Sequence, residues 1–121
     1  MSKPILVWSE IPVTDMDRAL AFYNSVFGWQ MTIDESGPNP MATLGGDLET
    51  IGGHLYPGTP ASDNGPTVHI AVPGKLEDHV ARVGPAGGEV VSPAIEIPPG
   101  RFAYIKDPDG NSIGLFEPKG A

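Results

Sequence analysis

The apolar positions of this chain alternate between a period of two and a period of 3.6, and the alternation predicts a run of short elements. Residues Ile5 to Pro12 read as a strand, with Ile5, Leu6 and Val7 leading into alternation. Thr14 then stands where a helix N-cap is expected, with Asp17 three residues on as a shortened capping box. Asp15 and Asp17 both suit the positive end of a helix dipole. Met16, Ala19, Leu20, Tyr23, Val26 and Phe27 carry the i, i+3, i+4, i+7 stripe of an amphipathic helix. Gly28 is placed to end it as a left-handed C-cap. Trp29 to Ile33, Met41 to Leu44 and Thr50 to Leu55 read as three further strands, broken at Gly37-Pro38 and Gly45-Gly46. Residues 56–66 are rich in Pro, Gly, Ser, Asp and Asn and read as a linker.

Beyond the linker the order repeats. Thr67 to Val72 is a predicted strand, and Leu76 to Val83 a predicted amphipathic helix ending at Gly84-Pro85. Glu89 to Val91, Arg101 to Ile105 and Ser112 to Phe116 are predicted strands. Asp107-Pro108-Asp109-Gly110 has Pro second and Gly fourth, the preference of a type I turn. Strand, helix, strand, strand, strand therefore occurs twice. The halves also match locally: Glu10-Ile11-Pro12-Val13 and His69-Ile70-Ala71-Val72 each precede a helix. Thr50-Ile51-Gly52-Gly53 and Ser112-Ile113-Gly114-Leu115 each fall late in their half.

Composition narrows the class of partner. The 121 residues suit one domain with a real core. The formal net charge of −8 repels phosphate backbones and argues against nucleic acid. No apolar run reaches the roughly 18 residues that span a bilayer. With no cysteine there is no disulfide framework and no thiolate metal site. The N-terminal segment does not read as a secretory signal, so the cytoplasm is the default expectation.

Two segments resemble a known family. Val13-Thr14-Asp15-Met16-Asp17-Arg18-Ala19, running into Phe22-Tyr23 and Phe27-Gly28-Trp29, is similar to the first-half signature of the vicinal oxygen chelate superfamily. Gly100-Arg101-Phe102-Ala103, Asp107-Pro108-Asp109-Gly110-Asn111 and Ile113-Gly114-Leu115-Phe116-Glu117 resemble its second-half signature. The superfamily is of glyoxalase, bleomycin-resistance and dioxygenase type. The resemblance implies an α+β fold of paired βαβββ modules, approximately 1–59 and 66–121, forming a half-open, eight-stranded mixed sheet. It also implies a homodimer, for which an open sheet edge supplies a physical reason.

Fold does not fix function in such a family. Its enzymes hold a divalent ion with His, Glu or Gln on the first and last strands of each module. Carried over by the resemblance, those positions fall on Trp8, Thr67, Gly52 and Gly114, which lack the required donors. The expectation is a chain without the usual metal site and with no cofactor. A relocated divalent ion is the alternative. Strand residues two apart share a face, so Glu10 and His54 face inward if Trp8 and Gly52 do, and His69 pairs with Glu10 in the repeat. Glu10, His54 and His69 would then be a two-His, one-carboxylate ligand set. A plain Glu10–His69 hydrogen bond is the other reading of that pair.

Trp8, Trp29, Tyr56, Phe102 and Tyr104 are candidate pocket aromatics, with Trp8 set to fill the cup floor. Arg101 is a candidate rim cation. His79, beside Asp78 within the second helix, reads as solvated. Two functions follow. One is a metal-free small-molecule binder whose contacts are Trp8, Glu10, His54, Thr67, His69, Arg101, Phe102 and Gly114. The other is a lyase, isomerase or dioxygenase-like enzyme using the relocated ion, or metal-free acid/base work by Glu10 with His69. An interaction module with a vestigial pocket is the third reading.

Overall fold

The computed structural model describes residues 6–46, 52–62 and 64–120. The first strand, β1 (Trp8–Val13), leads into helix α1 (Met16–Phe27). Asp15, not Thr14, caps that helix. It is extended, and its side chain accepts from Arg18 N at 3.1 Å. Thr14 is drawn off by Asp109, to which it donates from both its amide and its hydroxyl. Gly28 closes the helix at φ 77°, a conformation in which a side chain would be strained.

β2 (Ala42–Thr43) and β3 (Gly52–Pro57) complete the first sheet, in the order β1-β3-β2, with β1 parallel to β3. The strand expected over Trp29 to Ile33 does not form. Asn24 holds Met31 instead, accepting from its N–H at 2.8 Å and donating to its carbonyl. With those groups taken, Met31 has no backbone pairing to offer a strand. Trp29 stacks on Phe27 at 4.5 Å, and among the described residues one bridge, Asp34 to Met41, stands in place of that strand's pairing. Ile5, Thr50 and Ile51 of the expected strands, and Asp63 of the linker, lie outside the described residues.

β4 (Val68–Ala71), α2 (Leu76–Val83), β5 (Glu89–Val90), β6 (Ile95–Ile97), β7 (Gly100–Lys106) and β8 (Ser112–Pro118) form the second unit. Its sheet runs β4-β8-β7-β5, with β6 also pairing β7. β6 was not foreseen, because Ser92-Pro93 and Pro98-Pro99 leave too few residues between them to show a period. The eight described strands thus lie in two mixed sheets of three and five.

Both helices lie over one core. Ile11 and Val13 of β1, Leu55 of β3, Ile105 of β7 and Ile113 and Leu115 of β8 meet Phe22, Tyr23, Val26 and Phe27 of α1 and Leu76 and Val83 of α2. Each such apolar side chain contributes about 1.5–3 kcal/mol on burial. Because alternate strand residues face the helices, the residues between them are committed to the other face.

His79 corrects the sequence reading. It is buried at 4% exposure rather than solvated. Gly74 N donates to its Nε2 at 3.2 Å, which places the ring proton on Nδ1, 2.7 Å from Val26 O. His79 therefore satisfies one of the free carbonyls at the end of α1.

Candidate functional site

The faces turned away from the helices carry the candidate residues. On the first sheet Trp8, Glu10 and Pro12 of β1 lie opposite Gly52, His54 and Tyr56 of β3. Trp8 Nε1 donates to His54 Nδ1 at 2.9 Å, and His54 meets Tyr56 ring to ring at 6.0 Å. Because Nδ1 accepts, the N–H of His54 sits on Nε2. The indole is 40% exposed. A recess of about 550 Å³ opens beside this wall, bounded by Glu10, His54 and Tyr56 and by Asp34, Pro38 and Met41 of the loop before β2. A smaller groove of about 200 Å³ runs from Glu10 to Val68 and Ser112, where the two sheets approach.

On the second sheet His69 of β4 lies opposite Gly114 of β8, flanked by Phe102 and Tyr104 of β7 and Phe116 of β8. The His69 ring stands edge-on to Phe102 at 4.8 Å and to Phe116 at 6.4 Å. Desolvation beside these rings lowers its pKa from the usual imidazole value. Gly114 admits that ring: a Cβ there would come within 2.1 Å of His69 Nδ1. Thr67 shares a short hydrogen bond with Ser112.

The structure brings Glu10 and His54 together and leaves His69 on the other sheet. Among the described residues there is no Glu10–His69 hydrogen bond, and no group of three His, Cys, Asp or Glu able to hold a metal ion. The relocated set of Glu10, His54 and His69 therefore does not assemble within one chain. Arg101 is also corrected. It lies on the helix face of β7 with Ala103 and Ile105, forked onto Glu77 and paired with Glu117 at 2.9 Å. Glu117 in turn accepts from Leu76 N at 2.7 Å, serving the start of α2, whose own N-cap, Lys75, makes no side-chain bond. Arg101 is thus a support of α2, not a rim cation.

The ladders also revise the family positions. Val13 corresponds to Val72, so Glu10 corresponds to His69. Their partners, His54 and Gly114, then correspond, and the next residues, Leu55 and Leu115, are both fully buried. His54 rather than Gly52 holds the last-strand position of the first module. Even so the four positions, Trp8, His54, Thr67 and Gly114, do not fit an ion. One has no side chain, one is an indole, Thr67 is bound to Ser112, and His54 Nδ1 is already taken.

The profile of the Glyoxalase/Bleomycin resistance protein/Dioxygenase superfamily matches residues 5–115. The chain belongs to this superfamily. It is 34% identical over 118 residues to CFP32 of Mycobacterium tuberculosis and Mycobacterium bovis, which carries a provisional glyoxylase name. That match covers 91% of this chain but 44% of the relatives, so the chain spans less than half their length. Among solved structures it is similar to the antibiotic-binding protein TnmS3 of Streptomyces sp. CB03234, at 25% identity and TM-score 0.64, covering 98% of this chain and 99% of that one. A glyoxalase/bleomycin resistance protein of Albidiferax ferrireducens matches with TM-score 0.71 at 19% identity, over 94% and 98% of the two chains, and shares the fold.

Two features of the superfamily member escaped the sequence. His79 could have been found, because Leu76, His79, Val80 and Val83 share one helical stripe. The recess floor at Asp34, Pro38 and Met41 carried no signal beyond a Gly-Pro break. Among the described residues no helix is long and apolar enough to cross a membrane.

Proposed function

We propose that this superfamily member binds a flat, ring-bearing small molecule without a metal ion or other cofactor, and that it sequesters this molecule rather than transforming it. The observation that carries the reading is Trp8. It stands at a position where family enzymes place an ion ligand, half-exposed, with its one N–H already donated to His54. What it offers a ligand is a π face. Tyr56 and His54 extend that wall on the first sheet, and His69, Phe102, Tyr104 and Phe116 form a second aromatic wall. The likeness to an antibiotic-binding protein supports the same reading.

The test is titration with acridine, an uncharged flat ring at neutral pH, followed by calorimetry, which reads binding whether or not Trp8 is present. Trp8→Ala is expected to weaken binding by about tenfold or more, and Trp8→Phe to retain most of it. Protein purified without chelator is expected to carry far less than one equivalent of transition metal. Equal affinity in Trp8→Ala, or a stoichiometric ion lost on Glu10 or His54 substitution, would sink the proposal.

A further inference from the structure

The recess beside Trp8 has a sign of charge as well as a shape. Its lining holds two carboxylates, Glu10 and Asp34, and no Lys or Arg among the described residues. Asp34 accepts from the amide and hydroxyl of Ser36 at 2.9 and 2.7 Å, bonds that favour its charged form. Glu10 has no hydrogen-bond or ion-pair partner among the described residues, although it stands directly across from His54. Among the described residues one imidazole, His54, stands on the lining, and it receives the Trp8 N–H on its Nδ1. Beside the carboxylates lie the rings of His54 and Tyr56, with Trp8 bonded to His54 outside the lining, and Met41 adds apolar floor.

An anion entering here would lose its hydration and meet no cation in exchange, which is costly. A cation would meet an uncompensated carboxylate and the negative faces of the rings together. At about 550 Å³ the recess is within the range of small-ligand sites.

We infer that this recess selects a cation borne on a flat aromatic system, a protonated amine or ring nitrogen, with Glu10 as the residue that reads the charge. This rests on the ring-binding reading above and names its ligand class. Glu10 lines both the recess and the groove toward Ser112, so a ligand extending along either one passes the same carboxylate.

Three probes share one ring and differ in charge: 9-aminoacridine (cationic), acridine (neutral) and acridine-9-carboxylate (anionic). Dissociation constants are measured by calorimetry on the full chain at about pH 8, where an ordinary imidazole is neutral. The expected order is cation, neutral, anion, with about tenfold or more between cation and anion. Glu10→Gln is expected to narrow that ratio to within about threefold. Glu96→Gln, an equal change in net charge away from the recess, is expected to keep it. The inference is overturned if the anion binds as tightly as the cation, if Glu10→Gln leaves the ratio intact, or if Glu96→Gln narrows it equally. In each of those outcomes acridine still binds and the ring-binding reading stands. If no probe binds, both fail together.

Discussion

At Gly114 the missing side chain is what admits the His69 ring. The two residues face each other across β4 and β8, and no other residue type leaves room for the imidazole there. Gly114→Ala is therefore expected to destabilise the protein by about 1–3 kcal/mol, because ring and methyl compete for one volume. Adding His69→Ala should recover most of that loss, a coupling that urea denaturation of the four variants would measure. Full additivity of the two changes would show that the contact carries no energy. The sequence brought Gly114 to the cup face through the family resemblance and His69 through its pairing with Glu10 in the repeat. It gave no sign that they oppose each other, because register between distant strands is a property of the folded sheet.

Among the elements, α2 shows how a local shortage is met from elsewhere in the chain. Its N-cap is Lys75, which makes no capping bond, and Glu117 of β8 supplies the acceptor while Arg101 holds Glu117 and Glu77. Arg101 stays charged, since both carboxylates favour its protonated form, and the carboxyls of Glu77 and Glu117 are held below their usual range in return. Arg101→Ala is expected to speed hydrogen exchange at the first amides of α2 while leaving acridine affinity within about twofold. A tenfold loss of affinity in that variant would return Arg101 to the binding site. Helix α1 was nearly complete in the sequence, its cap displaced by one residue. The strand expected at Trp29 was not legible, because the Asn24 side chain wins the backbone of Met31 and periodicity cannot register such a competitor.

Across the molecule, the turn between β7 and β8 ties the two halves together. Gly110 N closes it onto Asp107 O at 2.9 Å, as the type I preference of its sequence implies. Buried Asp107 accepts from the Tyr23 hydroxyl of α1 at 2.7 Å, and Asn111 donates to Pro12 O of β1. Burial first, and then the negative charge of Asp107, raises the pKa of Tyr23 well above 10, so the hydroxyl keeps its proton to donate. Arg18 and Thr14 reach Asp109 from the same side. Asn111→Ala removes the bonds to both Pro12 O and Asp107 and is expected to cost about 1–3 kcal/mol. Unfolding monitored by Trp fluorescence and by far-ultraviolet circular dichroism should still coincide in one transition. An unchanged denaturation midpoint would argue against the turn as a link between the sheets.

The sequence by itself determined which strand positions share a face, the two helices and the closing turn, and its motifs pointed to the family. Each of these follows from spacing within a few residues, which local sterics and burial enforce. Only the tertiary structure decided that Glu10 meets His54 and not His69, that Arg101 serves α2, that His79 is buried, and that a loop of Pro and Asp walls a recess beside Trp8. Those outcomes depend on strand register, on which sheet a residue joins, and on side chains competing for the same backbone groups across tens of residues, and none of these leaves a period in the chain.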